Sequence, residues 1–80
     1  MKKHNTIGVD LAKNVIQVCV VSVTNKELLN KELTRKKFAE FLVKQKPALV
    51  AFEACATAHY WARVALRPGH QIKIIPAQAI

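Results

Sequence analysis

Acidic residues are scarce in this chain. Five Asp and Glu stand against thirteen Lys and Arg over 80 residues, a formal net charge of +8. A small basic chain favours a polyanionic partner, most simply nucleic acid; excess lysine that only keeps a domain soluble is the alternative. Cysteine is also rare. Cys19 and Cys55 are too few and too far apart for a metal knuckle or a CxxC motif. Both sit among apolar residues and read as reduced core thiols. No apolar run is long enough to cross a bilayer, so no membrane partner is expected. Met1-Lys2-Lys3-His4-Asn5 is followed by only a short apolar stretch broken by Asp10, which makes a poor signal peptide and a cytoplasmic location the expectation. There is no internal repeat, low-complexity segment or linker. No P-loop, GxGxxG or Ser-His-Asp order is present, which argues against a nucleotide-cofactor enzyme.

The residues that are present read as one folded α/β domain over 1–80, with 51% hydrophobic and 22% charged residues. A short buried strand falls in 3–11, around Ile7, Gly8, Val9 and Leu11. The strongest strand signal is 14–23, where Val15, Ile16, Val18, Cys19, Val20, Val21 and Val23 are mostly β-branched. Its two faces are both apolar, so cover is expected on both. Thr24-Asn25-Lys26 is a turn of hairpin length, and 27–33 is a more polar, edge-like strand. Thr34 can cap a helix running to Lys44, with Phe38, Phe41 and Leu42 on one stripe. Lys46-Pro47 ends it. A buried strand over 48–52 leads directly into Glu53. Thr57 can cap a second helix over 58–66, with Trp61, Ala65 and Leu66 inward, stopped by Pro68-Gly69. A last strand over 71–75 closes at Pro76. The order β-β-β-α-β-α-β is that of a ribonuclease H-like mixed sheet arranged 3-2-1-4-5, here without a final helix, although the pattern alone allows other α/β sheets as well.

Two of the five acids are oddly placed. Asp10 and Glu53 each end an apolar strand, in Ile7-Gly8-Val9-Asp10-Leu11 and Val50-Ala51-Phe52-Glu53-Ala54. A buried carboxylate without a partner is expensive. If the first and fourth strands are parallel neighbours, both acids emerge at the carboxyl edge, where open α/β sheets bind ligands. There they could hold Mg²⁺ and serve phosphodiester chemistry. The plain alternative has Asp10 capping a turn and Glu53 pairing with a lysine. Lys13, just after Asp10, is a candidate nucleic-acid contact. Arg35, Lys36 and Lys37 stand where a helix dipole disfavours cations, so they read either as phosphate contacts or as a solvated face. His59 and Tyr60 are weaker site candidates, Trp61 reads as core, and His4 and His70 carry no signal.

The string Ile7-Gly8-Val9-Asp10-Leu11-Ala12-Lys13-Asn14-Val15-Ile16-Gln17-Val18 resembles the opening of the DEDD transposases of bacterial insertion sequences, the group that includes the Piv-type DNA invertases. Glu53-Ala54-Cys55 with Ala58-His59-Tyr60-Trp61-Ala62-Arg63, Gly69-His70 and the strand ending in Pro76 match as well, so the resemblance covers almost the whole chain. It implies a RuvC-like domain of ribonuclease H fold. Its four acids would bind Mg²⁺ or Mn²⁺ for DNA cleavage and strand transfer, with Asp10 the first catalytic and metal-binding acid and Glu53 the second. It also implies DNA as partner and a structured RNA from the element as a further one. The rival reading is a non-catalytic, basic nucleic-acid-binding remnant.

This chain departs from that pattern in three ways. No Asp or Glu follows Glu53; Ala56 stands where the family has Gly, and Pro68 where it has an ordinary helix residue. A truncated or decayed N-terminal piece, inactive alone as a nuclease, is therefore expected. Both crossovers should place their helices on one side of the sheet, leaving the other face, taken as apolar, to be buried in a homodimer.

Overall fold

The computed structural model describes residues 4–11, 15–54 and 57–76. Lys13, Cys55 and Ala56, the edge residues Lys3 and Asn14, and the tail 77–80 lie outside the described residues. The elements run β1 (Thr6–Leu11), β2 (Ile16–Val21), β3 (Glu27–Leu33), α1 (Arg35–Lys44), β4 (Leu49–Glu53), α2 (Ala58–Leu66) and β5 (Gln71–Ile75). They form one five-stranded sheet in the order β3-β2-β1-β4-β5. β1 is antiparallel to β2 and parallel to β4; β2 is antiparallel to β3, and β4 parallel to β5. The mixed sheet and its strand order are those expected from the sequence.

Period-two patterning sorts the strands into two faces. Ile7 and Val9 of β1, Ile16, Val18 and Val20 of β2, and Val50 and Phe52 of β4 are buried and share one face. α1 contributes Phe38, Phe41 and Leu42 to the same core, as its stripe predicts. α2 contributes Ala58, Trp61, Ala62 and Ala65. The fully buried Phe38 ring joins the layers: its centroid lies 4.9 Å from Trp61 and 6.5 Å from Phe52, both edge-on. Such aromatic pairs add about 0.5–1.5 kcal/mol beyond the area they bury.

Four expectations are corrected. Leu66 does not face inward and is 55% exposed. At 3.6 residues per turn it stands roughly 90° from the centre of the 58/61/62/65 stripe. β2 is not covered on both sides: Ile16, Val18 and Val20 are buried, whereas Gln17, Cys19 and Val21 are only half-buried. Cys19 is thus no core thiol, because it alternates with Val18 and Val20 onto the helix-free face. That face is also mixed rather than apolar, since Asp10, Gln17, Glu53 and Lys73 lie on it with Val21 and Ala51. The self-association expected from an apolar face has correspondingly less area to draw on.

Local signals set the element ends. Ser22 N–H donates to the Lys26 carbonyl at 2.8 Å, and Asn25 N–H to the Ser22 carbonyl at 2.9 Å. Asn25, at φ 66°, takes the left-handed position that closes this three-residue loop. Thr34 caps α1, its Oγ1 accepting from Lys37 N–H at 3.2 Å. Gly69, at φ 98°, turns the chain from α2 towards β5 in a conformation that disfavours a Cβ. Among the described residues, no helix is long and apolar enough to cross a membrane.

Candidate functional site

β1 and β4 run in the same direction side by side, with Val9 opposite Phe52. Asp10 and Glu53 are the next residue on each strand. Because Val9 and Phe52 point into the core, the two carboxylates emerge on the opposite, helix-free face at the carboxyl edge. Both are exposed. Neighbouring strands lie about 4.8 Å apart, so two like charges share one level of the sheet. The register widens this into a row. Gln17 stands opposite Asp10 on β2, and Ile75 opposite Glu53 on β5. The next row inward holds Cys19, Gly8 and Ala51. These small side chains leave a shallow depression bordered by Asp10, Gln17, Glu53 and Ile75.

Among the described residues neither acid forms an ion pair. The ion pair found there is Lys37–Glu40 on α1, at 3.9 Å, so Glu53 has no lysine partner among them. The alternative in which Asp10 caps a turn involves residues 12–14, which lie outside the described residues. Nor does any group of three or more His, Cys, Asp or Glu gather to hold a metal among the described residues. The donor set is therefore two carboxylates open to solvent. This suits a hard divalent cation that keeps most of its water, and not a closed soft-metal site.

The remaining predicted residues lie elsewhere. Arg35, Lys36 and Lys37 are exposed on the first turn of α1. That turn starts at the same carboxyl edge, because β3 runs parallel to β1, but on the helix side of the sheet. Lys37 is engaged with Glu40, an exposed pairing worth little to stability. Lys13 lies outside the described residues. Tyr60 and His59 are exposed on α2, and Trp61 is core.

Two residues escaped sequence reasoning. Gln17 reaches the acid row only through the β1–β2 register, and its Nε2 donates to Asn30 Oδ1 on β3. His70 is 2% exposed. Its Nδ1 accepts from Ala48 N–H at 3.1 Å, and its Nε2 lies 2.6 Å from the Leu42 carbonyl. An accepting Nδ1 carries no proton, so Nε2–H is the donor. The ring thereby satisfies one of the carbonyls that the end of α1 leaves open. Cys19 Sγ lies 3.6 Å from Glu27 Oε1. Desolvation and the Glu27 carboxylate, as acceptor and as charge, push this thiol above its ordinary range, which lowers the share of reactive thiolate.

Comparison with known proteins adds a second line. Over 74 residues, 92% of the chain, it is 40% identical to a Pseudomonas aeruginosa protein named "Probable family 20 transposase". Over all 80 residues it is 38% identical to the transposase for insertion sequence element IS1328 of Yersinia enterocolitica. It is also 29% identical over 80 residues to the transposase for insertion sequence element IS1111A of Coxiella burnetii. The chain is similar to transposases. It spans about a fifth to a quarter of the length of the curated relatives it matches: 22% of the first of these and 24% of the second. No protein-family model matches it.

Proposed function

We propose that the chain is the catalytic-domain part of a DNA transposase, a RuvC-like domain of ribonuclease H fold in which Asp10 and Glu53 are the first two of the metal-binding acids. The observation that carries this is the carboxylate pair itself, side by side on adjacent parallel strands at the carboxyl edge, without ion-pair partners among the described residues. The strand order and the likeness to transposases support the same reading. DNA is the partner, and Asp10 and Glu53 are the catalytic residues. Mg²⁺ or Mn²⁺, when bound, supplies charge stabilisation at phosphodiester oxygens. The residues of the chain orient that chemistry: the two acids face open solvent where a phosphate can enter, with Gln17 beside them as a polar neighbour.

Two carboxylates do not fix two ions about 3.5–4 Å apart, the spacing of a two-metal nuclease. The 80 residues alone are therefore a binding unit and not a competent nuclease. The test is divalent-metal binding by the purified chain, lost in Asp10→Asn and in Glu53→Gln. Loss of neither would leave the second reading, a non-catalytic basic nucleic-acid-binding remnant, which the net charge of +8 favours.

A further inference from the structure

A groove lies between the first turns of α1 and α2, lined by Arg35, Lys36, Ala39, Thr57, Tyr60 and Trp61. We propose that it binds single-stranded DNA, with Tyr60 stacking on a base and Arg35 and Lys36 on the flanking phosphates. The inference rests on the reading of the chain as part of a DNA transposase and names a contact surface for that DNA away from the acid pair.

Tyr60 is 55% exposed, yet it is not loose. Its ring packs edge-on against Trp61 at 5.1 Å, and Trp61, 5% exposed, packs in turn on the buried Phe38. An aromatic ring anchored on one side to the core and open on the other is a stacking surface already held in place. Lys36 and Arg35 supply positive charge beside it, and the first turn of neither helix carries an acid. A positive rim with an exposed aromatic ring is the combination that single-strand sites use. In a duplex the base faces are stacked inside, so Tyr60 has nothing to stack on. The groove also opens at the carboxyl edge that holds the acid pair. Four residues lie between Glu53 and Ala58, so their Cα atoms lie within about 18 Å.

The test is fluorescence anisotropy of the 80-residue chain with labelled oligothymidylate, oligouridylate and a blunt duplex. Tyr60→Leu should weaken oligothymidylate binding roughly 5- to 150-fold, the equivalent of one stacked base, and leave duplex binding unchanged. Tyr60→Phe should retain binding. Lys36→Gln should lower the single-strand salt slope by about 0.7. In the unsubstituted protein, an iodouracil-bearing oligothymidylate should crosslink to Tyr60 on irradiation, a readout that does not depend on a variant folding. Equal losses on duplex and single strand, no loss in Tyr60→Leu, preference for oligouridylate, or crosslinks only elsewhere would each overturn the groove. Unsubstituted chain that binds neither form of DNA would instead overturn the DNA reading itself.

Discussion

His70 ties the end of α1 to the start of β4, and its removal gives a graded test of the fold that presents Glu53. His70→Ala strips the partner from two buried main-chain groups, Ala48 N–H and the Leu42 carbonyl. Each unsatisfied buried group costs about 1–3 kcal/mol, so the pair costs about 2–6 kcal/mol before any cavity is counted. An 80-residue domain has about 4–12 kcal/mol of stability in total, so His70→Ala sits near the limit of folding. Two milder variants divide the cost. Asparagine carries an oxygen near the position of Nδ1 and can still accept from Ala48; glutamine carries an amide nitrogen near the position of Nε2 and can still donate to Leu42. Each should lose about 1–3 kcal/mol. Urea unfolding of the three variants followed by the fluorescence of Trp61 reads these differences directly. A loss below about 1 kcal/mol for His70→Ala would mean that water replaces the ring without penalty, and the reasoning would fail.

Gly69→Ala should cost about 1–2 kcal/mol in the same assay, because φ at this position is 98° while the space around it is open; an unchanged midpoint would contradict a backbone origin. Cys19 should alkylate more slowly at mildly alkaline pH than a free cysteine. Its thiol is pushed up by desolvation and by Glu27, so less thiolate is present at any pH below its midpoint. Glu27→Gln removes that charge and should speed the reaction, as measured by mass spectrometry of the peptide carrying Cys19. On duplex DNA the chain should bind with an affinity that falls steeply with salt, at a slope of about −0.9 per phosphate contacted. Affinity flat between low and moderate salt would refute the electrostatic reading of its charge.

Much of the fold was legible because its signals are local. β-branched runs marked the strands, Phe38, Phe41 and Leu42 marked the inner face of α1, and Asp10 and Glu53 stood out as acids inside apolar strings. Their juxtaposition required only the inference that β1 and β4 are parallel neighbours. What stayed hidden depends on partners far along the chain. His70 bonds to groups 22 and 28 residues away, both of them main-chain, so no residue type announces the contact. Gln17 joins the acid row only once β1–β2 register is fixed. The two apolar-looking faces of β2 misled for a related reason: composition shows what a strand could bury, whereas the crossovers decide what covers it. Leu66 was misread because apolar character was weighed above its angle on the helix.

The most direct test of the carboxylate pair is urea unfolding of the unsubstituted chain and of Asp10→Asn, each in EDTA and in MnCl₂, with Glu40→Gln as a charge-matched control on α1. Two like charges facing one another on adjacent strands cost about 0.2–1 kcal/mol. Asp10→Asn should therefore be the more stable protein by that amount in EDTA. Manganese should reverse the order. An ion held by both carboxylates stabilises the folded chain by about 1.4 kcal/mol at ten times its Kd, and it should leave Asp10→Asn nearly unmoved while Glu40→Gln responds like the unsubstituted chain. If manganese shifts all three proteins equally, or none of them, Asp10 and Glu53 do not form a metal site.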